Sequence, residues 1–298
     1  MSHVRVSQID SVAVITLDRA ARFNSLDVET AQDFRRAGLQ CARDEQVRAV
    51  VIRGVPGVFC SGADLKVIRD RGDVRDLAYL TQRPDGERRA RSGYGDVFKQ
   101  ILEYIHSTIS EIRRAPKPFI AAVDGIAAAG GFGIAMSCDL VVASERASFE
   151  WAYSRTGLTG AESSTFMLPR LVGLRRSMEL MLLNRRLTAT EARDYGLVTE
   201  VFPLGVFEEQ TRALAERLAA GPPRAFATAK ELLNQATGMD QLDVHLGREL
   251  QELSRAADGA EFAEGLAAFF DKRPARFAAP GPPMIRPPSR PEMPAILE

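Results

Sequence analysis

Cysteine is scarce in this chain, and its scarcity excludes whole classes of structure. Three cysteines among 298 residues, Cys41, Cys60 and Cys138, are too few and too scattered for a disulfide framework or a zinc cluster, and they suit a reducing compartment. Charge of one sign is also missing. Lys+Arg and Asp+Glu are both 39, so a nucleic-acid polyanion or an anionic membrane is not expected as the main partner, while a local phosphate site stays open. No apolar run approaches the roughly 20 residues that span a bilayer. The opening MSHVRVSQID lacks an apolar signal core, so a cytoplasmic protein is expected. What is plentiful is hydrophobic residue, 45% of the chain, enough for a substantial core in one large domain or two small ones.

The periodicities predict α/β order. Val4 to Ile9 and Val12 to Leu17 alternate around the polar pair Asp10-Ser11, a hairpin signal. Asp27 is placed to cap a helix through Ala31, Phe34 and Leu39, and residues 49–54, AVVIRG, read as a buried strand. Strand, glycine turn and helix return at 119–125 and beyond, with further strands at 139–144 and 197–202. Between strands, residues 66–115 form a long insertion with a Pro-Asp-Gly turn at 84–86 and a helix from about Gly95 to Arg114. After Pro203 the pattern is helical, clearest over Glu208 to Ala220 and Arg224 to Ala236. These divisions predict a core over 1–202, a helical subdomain over 203–277 and an extended proline-rich tail over 278–298.

Two turns can carry chemistry. In VFCSGADL (58–65) a strand opens into small residues before a helix start, and in DGIAAAGGFGIAMSCD (124–139) glycines let the backbone approach a ligand. Two such turns can aim two amide donors at one oxygen that gains negative charge; losing one such donor typically costs about 2.7–4 kcal/mol of transition-state stabilisation. Either turn alone is as readily explained by packing.

Taken in order and spacing, FNSLD (23–27), FCSGADL (59–65), KPFIAAVDGIAAAGGFGIAMSCD (117–139) and LPRLVGLRRSMELMLLNRRLTATEARDYGLVTEVF (168–202) resemble the enoyl-CoA hydratase/isomerase (crotonase) superfamily over nearly residues 4–277. The resemblance implies an α/β spiral of ββα units, a carboxy-terminal helical region, homotrimers or dimers of trimers, and an acyl-CoA thioester as substrate, with no cofactor beyond the coenzyme A it carries. It places the N–H groups of Ala63 and Gly130 in an oxyanion hole and Arg22, Ser25, Ser61, Asp64 and Leu65 along the coenzyme A path. Asp64 can equally be a helix cap.

The two glutamates of typical hydratases are absent: their positions hold Gly133 and Tyr153. Residues 149–185 resemble the 4-chlorobenzoyl-CoA dehalogenase branch, whose nucleophilic aspartate position holds Ala161, so dehalogenation by that route is not expected. Glu162 follows and becomes the candidate acid/base, with a solvated loop glutamate as its bland alternative. A β-diketone hydrolase of the superfamily resembles this chain in placing a carboxylate near there, given a one-residue gap. His106, twelve residues before Pro118, matches the spacing of the branch's active-site histidine, against a packing histidine as the alternative. Tyr153 could donate a hydrogen bond or wall an aromatic acyl pocket with Trp151. Asp139 reads as a hydrogen-bonding residue at a strand start, and Cys60 and Cys138 as small core residues. The expected activity is that of a lyase or isomerase acting on an unsaturated acyl-CoA. The alternatives are C–C bond breakage in a β-keto or malonyl-type thioester, and a catalytically silent acyl-CoA binder.

Overall fold

The computed structural model describes residues 2–70 and 93–277, so the Pro-Asp-Gly turn at 84–86 and the proline-rich tail lie outside the described residues. The chain begins with the hairpin of β1 (Val4–Ile9) and β2 (Val12–Leu17), paired antiparallel from Val4 opposite Leu17 to Ile9 opposite Val12, with Asp10 left-handed at the turn. Only Val4 of β1 is buried, as suits a sheet edge whose outer side faces water. Helix α1 (Val28–Arg43) starts where its cap does: the Asp27 carboxylate accepts the Thr30 N–H at 2.8 Å. Its Ala31, Phe34 and Cys41 face the core.

The rest is a spiral. Three strand pairs follow one another: β3 (Ala49–Gly54) with β4 (Val58–Cys60), β5 (Phe119–Val123) with β6 (Ile126–Ala128), and β7 (Leu140–Ser144) with β8 (Ser148–Glu150). In each pair the first strand joins one sheet and the second joins another. The larger sheet runs β1-β2-β3-β5-β7-β10, with β10 at Glu200–Phe202, and it is parallel from β2 onward; the smaller runs β4-β6-β8-β9, with β9 at Arg186–Thr188. Each turn of the spiral therefore delivers a strand end and its following loop to one side of the smaller sheet.

One carboxylate staples three turns together. Asp124, between β5 and β6, accepts the Gly57 N–H at 2.8 Å, the Ser144 hydroxyl at 2.7 Å and the Arg146 guanidinium at 2.7 Å. Burial alone would raise its pKa, but these donors prevail and hold it at about 2.

The helices close the core. After β4 come α2 (Leu65–Arg69) and α3 (Gly95–Arg114), the latter with a buried stripe of Val97, Ile101, Ile105, Ile109 and Ile112 against α1. Helix α4 (Gly130–Ser137) follows β6, and α5 (Ser164–Leu183), kinked where Gly173 leaves helical geometry, follows a 3-10 turn at Tyr153–Thr156. Helix α6 (Ala189–Tyr195) opens with a Thr188–Glu191 capping box. Beyond Phe202 the described residues hold helices and no strand: α7 (Phe207–Ala219), α8 (Pro223–Ala236), α9 (Leu242–Ala257) and α10 (Ala260–Phe270). Phe207, Ala215 and Ala219 of α7 cover the outer face of the larger sheet at Val51, Ile120 and Val142. Leu246 and Leu253 of α9 and Phe262 of α10 enter the main core.

Replacing Asp124 by Ala leaves the Gly57 amide and the Ser144 hydroxyl without their acceptor, so urea unfolding should show a loss of roughly 1–3 kcal/mol at pH 7. Because the folded-state pKa lies below the ordinary 3.8, that contribution is fully present above about pH 4 and should vanish as pH falls through about 2.

Candidate active site

The loops at one side of the smaller sheet enclose a cavity of about 470 Å³. Arg22, Ser25, Ser61, Ala63, Asp64, Leu65, Gly130, Tyr153 and Glu162 all line it. Of the acid/base, oxyanion-hole and coenzyme A candidates from the sequence, His106 alone does not, and Trp151, expected beside Tyr153 in the wall, is buried outside it.

The amides of Ala63 and Gly130 come from adjacent turns. Leu26 bridges to the segment at Ala63, its N–H donating to Gly62 O at 2.8 Å and its carbonyl accepting the Asp64 N–H at 2.9 Å. This pairing uses the groups on either side of Ala63 and, among the described residues, leaves the Ala63 N–H without an acceptor. The Gly130 N–H is in the same state because it opens α4, whose first amides have no intrahelical partner. Ala129 before it is held at φ 46°, ψ −117°, a strained conformation for a residue with a side chain, and that ψ sets the plane of the amide that follows. The two turns touch at Gly62, where φ is +91° and an added Cβ would lie 2.7 Å from Ala129 Cβ and 3.2 Å from Gly130 N.

Asp64 is the N-cap of α2: its carboxylate accepts the Lys66 and Val67 amides and is paired with Arg19 and Arg22, each at 2.8 Å. Burial would raise its pKa, yet these hydrogen bonds lower it. Its role as a cap is thus part of the same ion cluster that fixes Arg22 at the cavity mouth.

Glu162 is no solvated loop residue. It is 3% exposed, and both it and Ser163 adopt left-handed backbone, at φ 51° and 63°. Such geometry costs roughly 1–3 kcal/mol per residue and persists only where neighbours enforce it. The Tyr153 hydroxyl makes a short hydrogen bond to Glu162 Oε2, and the Glu162 N–H donates to His106 Nε2 at 3.1 Å. Oε1 faces α4: a Cβ built on Gly130 would lie 2.8 Å from it. A Cβ built on Gly133 would lie 2.3 Å from Glu162 O and 2.7 Å from Glu162 Cβ. The missing side chain at Gly133 is therefore what admits Glu162.

Among the described residues Glu162 pairs with no cation. Burial pushes its pKa up to about 8, the Tyr153 hydrogen bond opposes that shift and the charge of Glu249 adds to it. Tyr153, buried beside the same carboxyl and edge-on to Trp151, titrates well above the usual phenol range. His106, held at about 3 chiefly by burial, is neutral and offers Nε2 to the Glu162 amide from behind, away from the cavity.

Two carboxylates at the site were not anticipated from the sequence. Glu150 lines the cavity but is tied to Arg155, Arg186 and Asn184, each at 2.8 Å. Glu249 of α9 accepts the Ser163 and Thr165 amides at 2.8 and 2.9 Å. Arg155, five residues after Glu150, and the first glutamate of RELQEL (248–253) on an amphipathic helix were the only signals. Asp139 accepts the Phe119 N–H and pairs with Arg113 and Lys230, as a strand-start residue should. All three cysteines are free and buried, and burial pushes the Cys41 and Cys60 thiols up to about 11 and 12.

The family description "Enoyl-CoA hydratase/isomerase" matches residues 7–85 and 85–280. This chain belongs to the enoyl-CoA hydratase/isomerase family. It is 31% identical over 270 residues to 4-chlorobenzoyl coenzyme A dehalogenase-2 of an Arthrobacter species, covering 91% of each chain. It is 29% identical over 279 residues to 1,2-epoxyphenylacetyl-CoA isomerase of Escherichia coli, covering 93% of this chain and 97% of the other. Among solved structures, an enoyl-CoA hydratase from Mycobacterium avium subsp. paratuberculosis superposes with a TM-score of 0.79 at 31% identity, over 94% of this chain and all of that one. The family fold is the α/β spiral described above, and its members act on acyl-CoA thioesters. The three names cover three reactions.

A carboxyl whose pKa rises on folding binds its proton more tightly in the folded state, so it subtracts stability as pH climbs from about 4.5 to about 8. Glu162→Gln removes this dependence. The melting temperature of the variant minus that of wild type should therefore increase across that window and level off above it. A difference that stays flat means the carboxyl is ionised throughout.

Proposed function

We propose that the chain moves a proton beside the thioester carbonyl of an unsaturated acyl-CoA, with double-bond isomerisation as the overall reaction. The observation that carries this reading is the Glu162 carboxyl, buried, unpaired with any cation among the described residues, and facing Gly130.

In this reading the thioester oxygen lies between the Ala63 and Gly130 amides. When a proton leaves the acyl carbon next to the carbonyl or its vinylogous position, charge moves onto that oxygen and two fixed donors stabilise it without reorganising. Glu162 Oε1 takes the proton and returns it to another carbon of the same enolate. One carboxyl serves both steps, because the acid formed in the first is the acid needed in the second. Its raised pKa suits the task, since a group titrating near neutrality gives and takes protons with little cost either way. Tyr153 holds Oε2 and so directs Oε1 to the cavity. Hydration by two free carboxylates finds less support: Glu150 and Asp64, the other acidic residues of the wall, are already neutralised by arginines. Arg22, Ser25, Ser61 and Leu65 line the part of the cavity assigned to coenzyme A.

Turnover of a panel of 2-enoyl, 3-enoyl, aromatic and β-keto thioesters tests this. An enoyl substrate should be converted, with kcat lowered about 10²–10⁴-fold in Glu162→Gln while product binding persists. The wild-type rate should rise with pH through about 8 as the carboxylate forms. Undiminished turnover in the variant contradicts the assignment of Glu162.

A further inference from the structure

The left-handed pair Glu162–Ser163 needs something to enforce it, and the group that does so comes from the far end of the chain. Glu249 is 4% exposed and projects from α9 onto the start of α5. Its Oε2 accepts the Ser163 N–H at 2.8 Å, and its Oε1 accepts the Thr165 N–H at 2.9 Å together with the Thr165 hydroxyl. An anion at a helix start is favoured there by the unpaired amides and the helix dipole, so this carboxylate caps α5 from another helix. Oε2 is also 3.8 Å from His106 Nε2, the atom that receives the Glu162 N–H. The amide of Glu162 and the amide of Ser163 are thus each bound, one to His106 and the next to Glu249.

We propose that Glu249 is a positioning residue: by clamping the Ser163 and Thr165 amides it holds Glu162 in its strained turn with Oε1 over Gly130. The proposal rests on the acid/base reading of Glu162. Glu249 does not line the cavity and touches no substrate. The groups facing Glu162 are Tyr153 from the 3-10 turn, His106 from α3, Cys60 from β4, Gly130 and Gly133 from α4, and Glu249 from α9. Beyond Glu249 lies His245, 3.9 Å from its Oε1 and near Arg170 and Arg248. Of these only Glu249 gains negative charge within the neutral range, because burial raises its pKa to about 7 against the opposing pull of the Thr165 and Ser163 donors. Its charge repels that of Glu162, so the same residue that fixes the geometry of Glu162 also delays its ionisation.

The test uses the full chain labelled with side-chain 13C-glutamate, titrated by NMR, with the Glu162 signal identified by its loss in Glu162→Gln, alongside turnover of the enoyl-CoA that responds. Glu249→Gln should shift the Glu162 midpoint to lower pH and reduce kcat about 10- to 100-fold with KM little changed, as expected for misplacing a reacting group by a fraction of a bond length to an ångström. A wild-type kcat overturns the proposal, and so does a reduced kcat with an unmoved midpoint, which indicates general damage. If the Gln variant does not fold, Glu249→Asp keeps the charge and shortens the reach: it should lower kcat with a midpoint near wild type, and a wild-type kcat there is equally fatal. Full turnover in Glu162→Gln would defeat the acid/base reading itself. Loss of turnover in Glu162→Gln with wild-type behaviour in both Glu249 variants would defeat only the positioning role.

Discussion

A carboxyl group taken out of water and given no cation is what this site depends on. Ionising such a group in a dry cavity costs several kcal/mol, and a protein meets that cost by pairing the charge or by letting the group keep its proton. Three carboxylates surround the cavity, and two are paired: Asp64 by Arg19 and Arg22, Glu150 by Arg155 and Arg186. Glu162 is the third, and among the described residues the one side chain hydrogen-bonded to its carboxyl is the phenol of Tyr153. A phenol can donate a hydrogen bond without fixing a charge, so the proton on Glu162 stays exchangeable near neutral pH. A guanidinium in the same place would lock the carboxylate ionised and, in the proposed isomerisation, leave no acid for the return of the proton.

The scaffold supplies the other half by repetition. Each turn of the spiral ends a strand of the smaller sheet next to the cavity, so the Gly62–Asp64 turn and the Ala128–Gly130 turn arrive side by side. Their backbones meet because glycine at Gly62 leaves no side chain between them. Asp124 locks the same turns at the opposite end, joining Gly57, Ser144 and Arg146. Two amides can then face one point with no loop having to close. Glycine at Gly133 does the complementary service, vacating the space that the Glu162 backbone fills.

What could be read from the sequence was what is local. The hairpin at Asp10-Ser11, the Asp27 cap and the helix Gly95–Arg114 all follow from periodicity and capping within a few residues, and each is found. The resemblance of the glycine turns led to the cavity wall. Of the smaller sheet only β4, the strand that opens the 58–65 turn, was legible; β6, β8 and β9 have three residues each, too short for alternation to show. The geometry of Glu162 was hidden for another reason: a left-handed glutamate is disfavoured locally and exists through contacts made from α3 and α9. Those contacts span 56 residues to His106 and 86 residues from Ser163 to Glu249. No local pattern marks such a partner, and His106, matched by spacing alone to an active-site histidine, accepts a backbone amide here.

The measurement that bears most directly on this account is the vibrational frequency of the thioester carbonyl in a bound enoyl-CoA, isotope-edited with 13C at that carbon. If the amides of Ala63 and Gly130 both point at the oxygen, the carbonyl stretch should fall well below its value in water, and the shift should persist in Glu162→Gln, which leaves both amides in place. A bound carbonyl that vibrates as it does in water would show that the two turns do not hold the thioester oxygen, and the mechanism built on them would fail.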